Sequence, residues 1–227
     1  MSANEEILLL VDESYADNFC AICVVCIQGK ENLTLLNDQI RQISVDPAVN
    51  IHDLAKIFHY NEASIGGRQS IASWIYRMPI SVYCVISKSN VSKSKQTQDE
   101  FAYKTLFPEL VKPLRQKFFN RFHGEKISIR FENLNNKLDT DTLFFKEVLK
   151  DIPEISVSVV SKENDQLIFL PDYFLGFIKD HLSKGKLVTW PTDLLKLLSG
   201  KIGLLLFKDA SETRRYGRGD EIAKFLS

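Results

Sequence analysis

Several common signatures are missing from the 227 residues. There is no G-x-x-x-x-G-K-[ST], no G-x-G-x-x-G and no G-x-S-x-G, and the pair Gly66-Gly67 alone makes no phosphate loop. These absences argue against an NTPase, a dinucleotide-dependent enzyme and an α/β-hydrolase. Long apolar runs are also lacking: residues 7–11 and 202–207 are far too short to span a bilayer. The opening MSANEEILLL has acids where a secretory leader carries bases, so the expectation is a cytoplasmic chain without membrane contact. Internal repeats and low-complexity tracts are absent. Cysteine is scarce, with four in all. Cys20, Cys23 and Cys26 alternate faces along one strand and cannot converge on one ion, and no second Cys/His pair completes a zinc site. With Cys84 they read as core residues. A chain of this length buries a core without disulfide or metal staples.

Net charge is lacking too, with 29 Lys+Arg against 29 Asp+Glu. The balance conceals segregation. Residues 1–67 carry −7, 68–81 carry +2, 82–130 carry +6, 131–182 carry −5 and 183–227 carry +4. That pattern suits an acidic centre flanked by basic surfaces that grip a polyanion.

What is present alternates strand and helix. Continuous apolar runs at 6–11 and 19–28 read as strands buried on both faces, joined as an antiparallel hairpin through DESYADN. Helical spacing follows at 32–44 and 69–77, then a strand at 80–87 and a polar loop at 88–98. Residues 99–121 carry one apolar helical face, with Pro108 and Pro113 predicting a kink or two short helices. Strands are expected at 126–131 and 155–160. Helices are expected at 141–150, capped by Asp139 or Thr140, and at 168–182. Beyond Gly185 come a helix near 192–198, LLLF at 204–207 and a tail that is flexible at first and helical at its end. The class is α/β, with one domain over 1–184 and a C-terminal extension over 185–227.

Acids at strand ends carry the strongest chemical signal. Asp12 follows the run 7–11, and Glu132 follows the strand 126–131. Ligands of an open α/β sheet gather at the carboxyl ends of its parallel strands. Asp172 stands in an otherwise apolar helix, where an ionised carboxylate needs a partner. Three such carboxylates together call for a cation, and hard oxygen donors suit Mg²⁺ or Mn²⁺. A metal pair held this way supports attack of water on a phosphodiester. Each acid alone reads more readily as a cap or an ion-pair partner; it is their recurrence at strand ends that favours the site. His59, in a polar loop, is the candidate for proton transfer, with His52 as its rival, while His123 and His181 read as structural. Basic residues that could contact phosphates are Lys88, Lys93 and Lys95 in one loop, Lys112 and Arg115 on one helix, and Arg214, Arg215 and Arg218 in the tail. Tyr216 is placed to stack on a base.

VDES at 11–14, FHYNEASIGGR at 58–68 and LPDYFLG at 170–176 resemble the signatures of a large microbial family, the domain-of-unknown-function family 3800. The resemblance covers roughly residues 6–182. It implies a ribonuclease H-like mixed sheet of about five strands with flanking helices, and a divalent-metal-dependent nuclease. The matching residues are Asp12 and Glu13, then His59, Tyr60, Glu62 and Arg68, then Asp172 and Tyr173. With Glu132 added from its strand end, where related folds often use Asp, the expected site is Asp12, Glu132 and Asp172 on the metal, with Glu13 as a ligand or supporting group. Phe169 and Pro171 depart from the Gln and Ala usual in the family. That departure motivates the alternative of a non-catalytic adaptor with a degenerate site. In the adaptor reading, LLLF and helix 192–198 dock a protein partner or a second copy. A mobile-element or defence setting is a further expectation, resting on where such families occur.

Overall fold

The computed structural model describes residues 6–16, 19–50, 54–88, 94–114, 116, 126–134, 138–150, 155–184, 188–209, 212–218 and 220–227. His52, Lys93, Arg115 and His123 lie outside the described residues or side chains.

Strand β1 (Glu6–Ala16) and strand β2 (Phe19–Gln28) form the expected hairpin, in register from Ile7↔Gln28 to Ala16↔Phe19. Both are apolar on both faces because helices cover both faces of the sheet. Gly29 follows β2 with φ +86°, a left-handed conformation suited to glycine, and opens helix α1 (Lys30–Val45). Short turns α2 (Pro47–Asn50) and α3 (Leu54–Ile57) lead to α4 (Ile65–Arg77). Helix α4 starts four residues before its expected position because the Ser64 side chain accepts the Gly67 N–H at 3.1 Å and caps it.

Strand β3 (Ser81–Ser87) comes next. Helix α5 (Lys95–Phe101) then runs through a π turn at Ala102–Leu106 into α6 (Phe107–Leu114). The expected interruption is therefore a π turn rather than a break. Pro108 lies directly after the π turn, as the second residue of α6, and Pro113 lies inside α6. After β4 (Lys126–Glu132), helix α7 (Leu138–Val148) begins early, so Asp139 and Thr140 lie inside it rather than at its cap. Strand β5 (Ile155–Val160) and helix α8 (Phe169–Lys184) follow as expected.

The sheet has seven strands in the order β5-β4-β1-β2-β3-β6-β7, not about five. In its first five, β4 and β5 run parallel to β1, and the β1-β2-β3 meander is antiparallel. The additional strands come from the C-terminal segment, which also contains α9 (Trp190–Leu198) and α10 (Asp220–Leu226). Strand β6 (Ile202–Lys208) pairs parallel to β3, and β7 (Thr213–Tyr216) pairs antiparallel to β6. The stretch LLLF is thus paired on both sides and buried, which corrects its expected role as a partner-docking segment. The first part of the tail is an edge strand rather than a flexible segment.

The pleat sorts side chains into two cores. Leu8, Leu10, Cys23, Val25 and Cys84 face α1, α4, α8 and the C-terminal helices. Ile7, Leu9, Val11, Cys20, Ile22 and Cys26 face the α5–α7 layer. All four cysteines are buried free thiols, and Cys23 lies directly across from Cys84. Among the described residues, no helix is long and apolar enough to cross a membrane.

Candidate active site

Parallel pairing of β1 with β4 ends at Val11↔Phe131. Asp12 and Glu132 are the next residue on each strand, so they emerge together at the carboxyl edge. Asp12 does not end its strand, as the sequence suggested, because β1 continues to Ala16 along β2. Asp172 arrives from the first turn of α8, where the helix dipole favours a carboxylate. Its Oδ2 accepts the Tyr60 N–H at 3.0 Å.

Lys162, which the sequence reading missed, is ion-paired with Glu132 and Asp172 and is held charged by Asp12 as well. It lies two residues past β5, the third parallel strand, and its Nζ is 3.2 Å from Glu132 Oε2 and 3.1 Å from Asp172 Oδ2. The strand-end rule that selects Asp12 and Glu132, applied to β5, lands on Ser161 and Lys162. The turn carrying Lys162 is fixed: the Ser161 carbonyl accepts the amides of Asn164 and Asp165, and Asp165 pairs with Arg130 of β4 at 2.6 Å.

Crowding shows in the titration of these groups. Burial pushes Asp12 well above the ordinary carboxylate range, the charges of Glu132 and Glu13 push it further, and Lys162 opposes them. Burial also raises Glu132, against the pull of Lys162. Burial alone would depress the Lys162 ammonium, but Asp12, Asp172 and Glu132 outweigh it and hold its pKa above the ordinary value. Glu132 Oε2 is buried and, although at ion-pair distance from Lys162, has no hydrogen bond.

Among the described residues, no group of three or more His, Cys, Asp or Glu side chains is spaced as a metal site. The Lys162 ammonium sits at ion-pair distance from both Glu132 and Asp172. The donor chemistry nonetheless fits a hard divalent cation. All donors are carboxylate oxygens, they outnumber the single ammonium, and one buried oxygen lacks a hydrogen bond.

Strand alternation sends Glu13 to the opposite face from Asp12. There Tyr103, carried by the π turn, donates a short hydrogen bond to Glu13 Oε2. Tyr15 donates to the neighbouring buried Asp99 at 2.8 Å. Burial pushes Glu13 up from 4.5 to about 7, with Asp99 and Glu132 adding to the shift and the Tyr103 hydrogen bond opposing it. Between those two values the folded chain holds a proton that the unfolded chain has released, so stability falls as pH rises. Urea unfolding is expected to show a loss on the order of 2 kcal/mol between pH 5 and pH 8, after allowance for partial solvent access. Glu13→Gln should reduce that slope and leave the part that the raised Asp12 contributes, and an unchanged slope in this variant would exclude Glu13 as a source.

His59 is half-buried in the loop that presents Tyr60. The rest of that loop is clamped to α8. The Tyr60 hydroxyl donates to Asp180 at 2.8 Å, Arg68 Nη1 pairs with Asp180 at 3.0 Å, and Arg68 Nε donates to the Tyr60 carbonyl at 2.9 Å. Tyr173 donates to the Ile57 carbonyl. A Cβ at Gly176 would lie 2.1 Å from the Tyr60 ring, so the close approach requires glycine.

The basic candidates are dispersed. Lys88 is exposed at the end of β3, with its ammonium 5.3 Å from the Phe207 ring centre. Lys95 donates to the Leu134 carbonyl, and Lys112 is exposed on α6. Arg214 pairs with Glu212, Arg215 is exposed on β7, and Arg218 donates to Ser81 Oγ at 3.3 Å. Tyr216 packs against Phe225 with ring centres 5.5 Å apart, so its ring is engaged inside the fold. His181 is structural as expected, bonded to Thr192 at 2.8 Å.

The fold and this edge define a mixed α/β protein with a seven-stranded mixed sheet flanked by helices and an acidic cluster at the carboxyl ends of its parallel strands. No family model matches the chain, and no curated protein matches it in sequence. Among solved structures it is similar to the crystal structure of the ribonuclease H2 from Pyrococcus horikoshii OT3. The two share 13% identity over 84% of this chain and 85% of that one, with a TM-score of 0.42.

Proposed function

We propose that this chain is a nuclease-like protein of the domain-of-unknown-function family 3800 that hydrolyses nucleic-acid phosphodiesters with a divalent cation, Mg²⁺ or Mn²⁺. One observation carries the proposal: Asp12, Glu132 and Asp172, from three separate segments, converge around Lys162 at the carboxyl edge of the parallel strands. These three acids would hold the cation. When bound, it would polarise the phosphodiester and favour hydroxide over water.

The chain's own residues supply the rest. The Tyr60 amide orients Asp172. His59, on the same loop, takes the proton of the attacking water. Lys88 and Lys95 flank the same end of the sheet and grip backbone phosphates, as do Lys112, Arg214, Arg215 and Arg218 at greater distance. Binding should therefore weaken steeply with salt.

The test is incubation with RNA, DNA and RNA–DNA hybrid in Mg²⁺, in Mn²⁺ and in excess chelator. Cleavage in either cation and none in chelator is expected, whereas cleavage that persists in chelator would sink the assignment. A second reading, a non-catalytic adaptor, is favoured by the Lys162 ammonium, which already neutralises part of the acid cluster. It predicts salt-sensitive nucleic-acid or protein binding and no cleavage under any of these conditions.

A further inference from the structure

Three ionised carboxylates cannot be held together in a partly buried site without positive charge. In this chain the charge is part of the sequence. Lys162 Nζ lies within 3.2 Å of both Glu132 and Asp172, and its side chain is 13% exposed. Its backbone is anchored by the Ser161 turn and the Arg130–Asp165 pair, so the ammonium is delivered by a built turn and not by a loose surface chain. Asp165 also caps the following helical turn by accepting the Leu167 N–H at 3.1 Å. The four-carbon stem of lysine lets the charged head move while this turn stays in place.

We propose that Lys162 is an internal counter-cation: it holds the acids in position in the metal-free protein and is exchanged for the divalent cation on loading. This rests on the cation-dependent reading above. A single positive charge at the place the acids converge raises the concentration at which a divalent ion can enter. Lys162 therefore sets the cation requirement of the site. It acts through Glu132 and Asp172 and is a positioning residue.

The experiment uses full-length wild type, Lys162→Met and Lys162→Gln, titrated calorimetrically with MnCl₂ or MgCl₂ alone, without nucleic acid. Thermal unfolding is followed in parallel. Lys162→Met matches the shape of the stem without its charge, and Lys162→Gln keeps a polar head if the Met variant does not fold. The metal-free variants are expected to melt at lower temperature. They should bind Mn²⁺ about tenfold more tightly than wild type and show a larger rise in melting temperature on loading. A variant that folds only when the cation is added would give the same support. A purely structural lysine predicts the opposite, because its loss would disorder the ligands and weaken binding. If wild type binds the cation and neither variant binds it more tightly, the counter-cation role is overturned and the cation-dependent reading stands. If none of the three binds a cation, both are overturned.

Discussion

Asp12→Asn is expected to abolish cation-dependent cleavage while leaving the protein at least as stable as wild type. The activity loss should be roughly a thousandfold or more. Removing a carboxylate ligand forfeits several kcal/mol of charge stabilisation, and each 1.4 kcal/mol is about tenfold in rate. Stability should move the other way. Burial and the charges of Glu132 and Glu13 make the ionised Asp12 unfavourable, and the neutral amide removes that cost. The amide oxygen can still accept the Glu13 N–H that Asp12 Oδ1 accepts at 2.8 Å. The expected gain is about 1 kcal/mol and grows with pH, because the wild-type carboxylate is increasingly ionised. Cleavage rates and urea unfolding at pH 6 and pH 8 check both parts. A variant that is inactive and also several kcal/mol less stable would show Asp12 to be a packing residue.

The second large effect is structural. Asp180 is 5% exposed and accepts from both the Tyr60 hydroxyl and Arg68. Asp180→Ala would leave the Arg68 guanidinium buried without its counter-charge. That loss is expected to cost about 3–5 kcal/mol in urea unfolding. The damage should also reach the site. Arg68 lies 4.2 Å over the Tyr60 ring and holds the Tyr60 carbonyl, and the Tyr60 amide holds Asp172. Cleavage should therefore fall even at temperatures where the variant remains folded. Arg68→Met combined with Asp180→Leu should cost less than the two single changes together, because neither charge is then stranded. A loss below about 1 kcal/mol for Asp180→Ala would mean that water reaches and solvates Arg68, contrary to its 13% side-chain exposure.

The sequence alone was sufficient to locate most strands, because each is a short apolar run with recognisable ends. It also singled out Asp12 and Glu132, as polar residues at the ends of buried strands, and Asp172, as an acid in an otherwise apolar helix. Motif order pointed to Tyr60, Arg68 and Tyr173, and the structure shows what these residues do: they lock one loop to α8. Lys162 was overlooked because nothing local distinguishes it from other lysines. Its partners are 30 residues before it on β4 and 10 after it on α8, and they meet it only once β5 has docked beside β4.

Tertiary structure alone decided several further points. It put Glu13 on the far face of the sheet through the parity of the pleat. It buried LLLF by giving it partners in β3 and β7. It engaged Tyr216 and Arg214 in contacts of their own. The physical reason is one of range. Period and composition act over a few residues and fix what each segment can become. Charge neutralisation and strand pairing join segments far apart in the chain, and these are settled only by the order in which strands lie side by side.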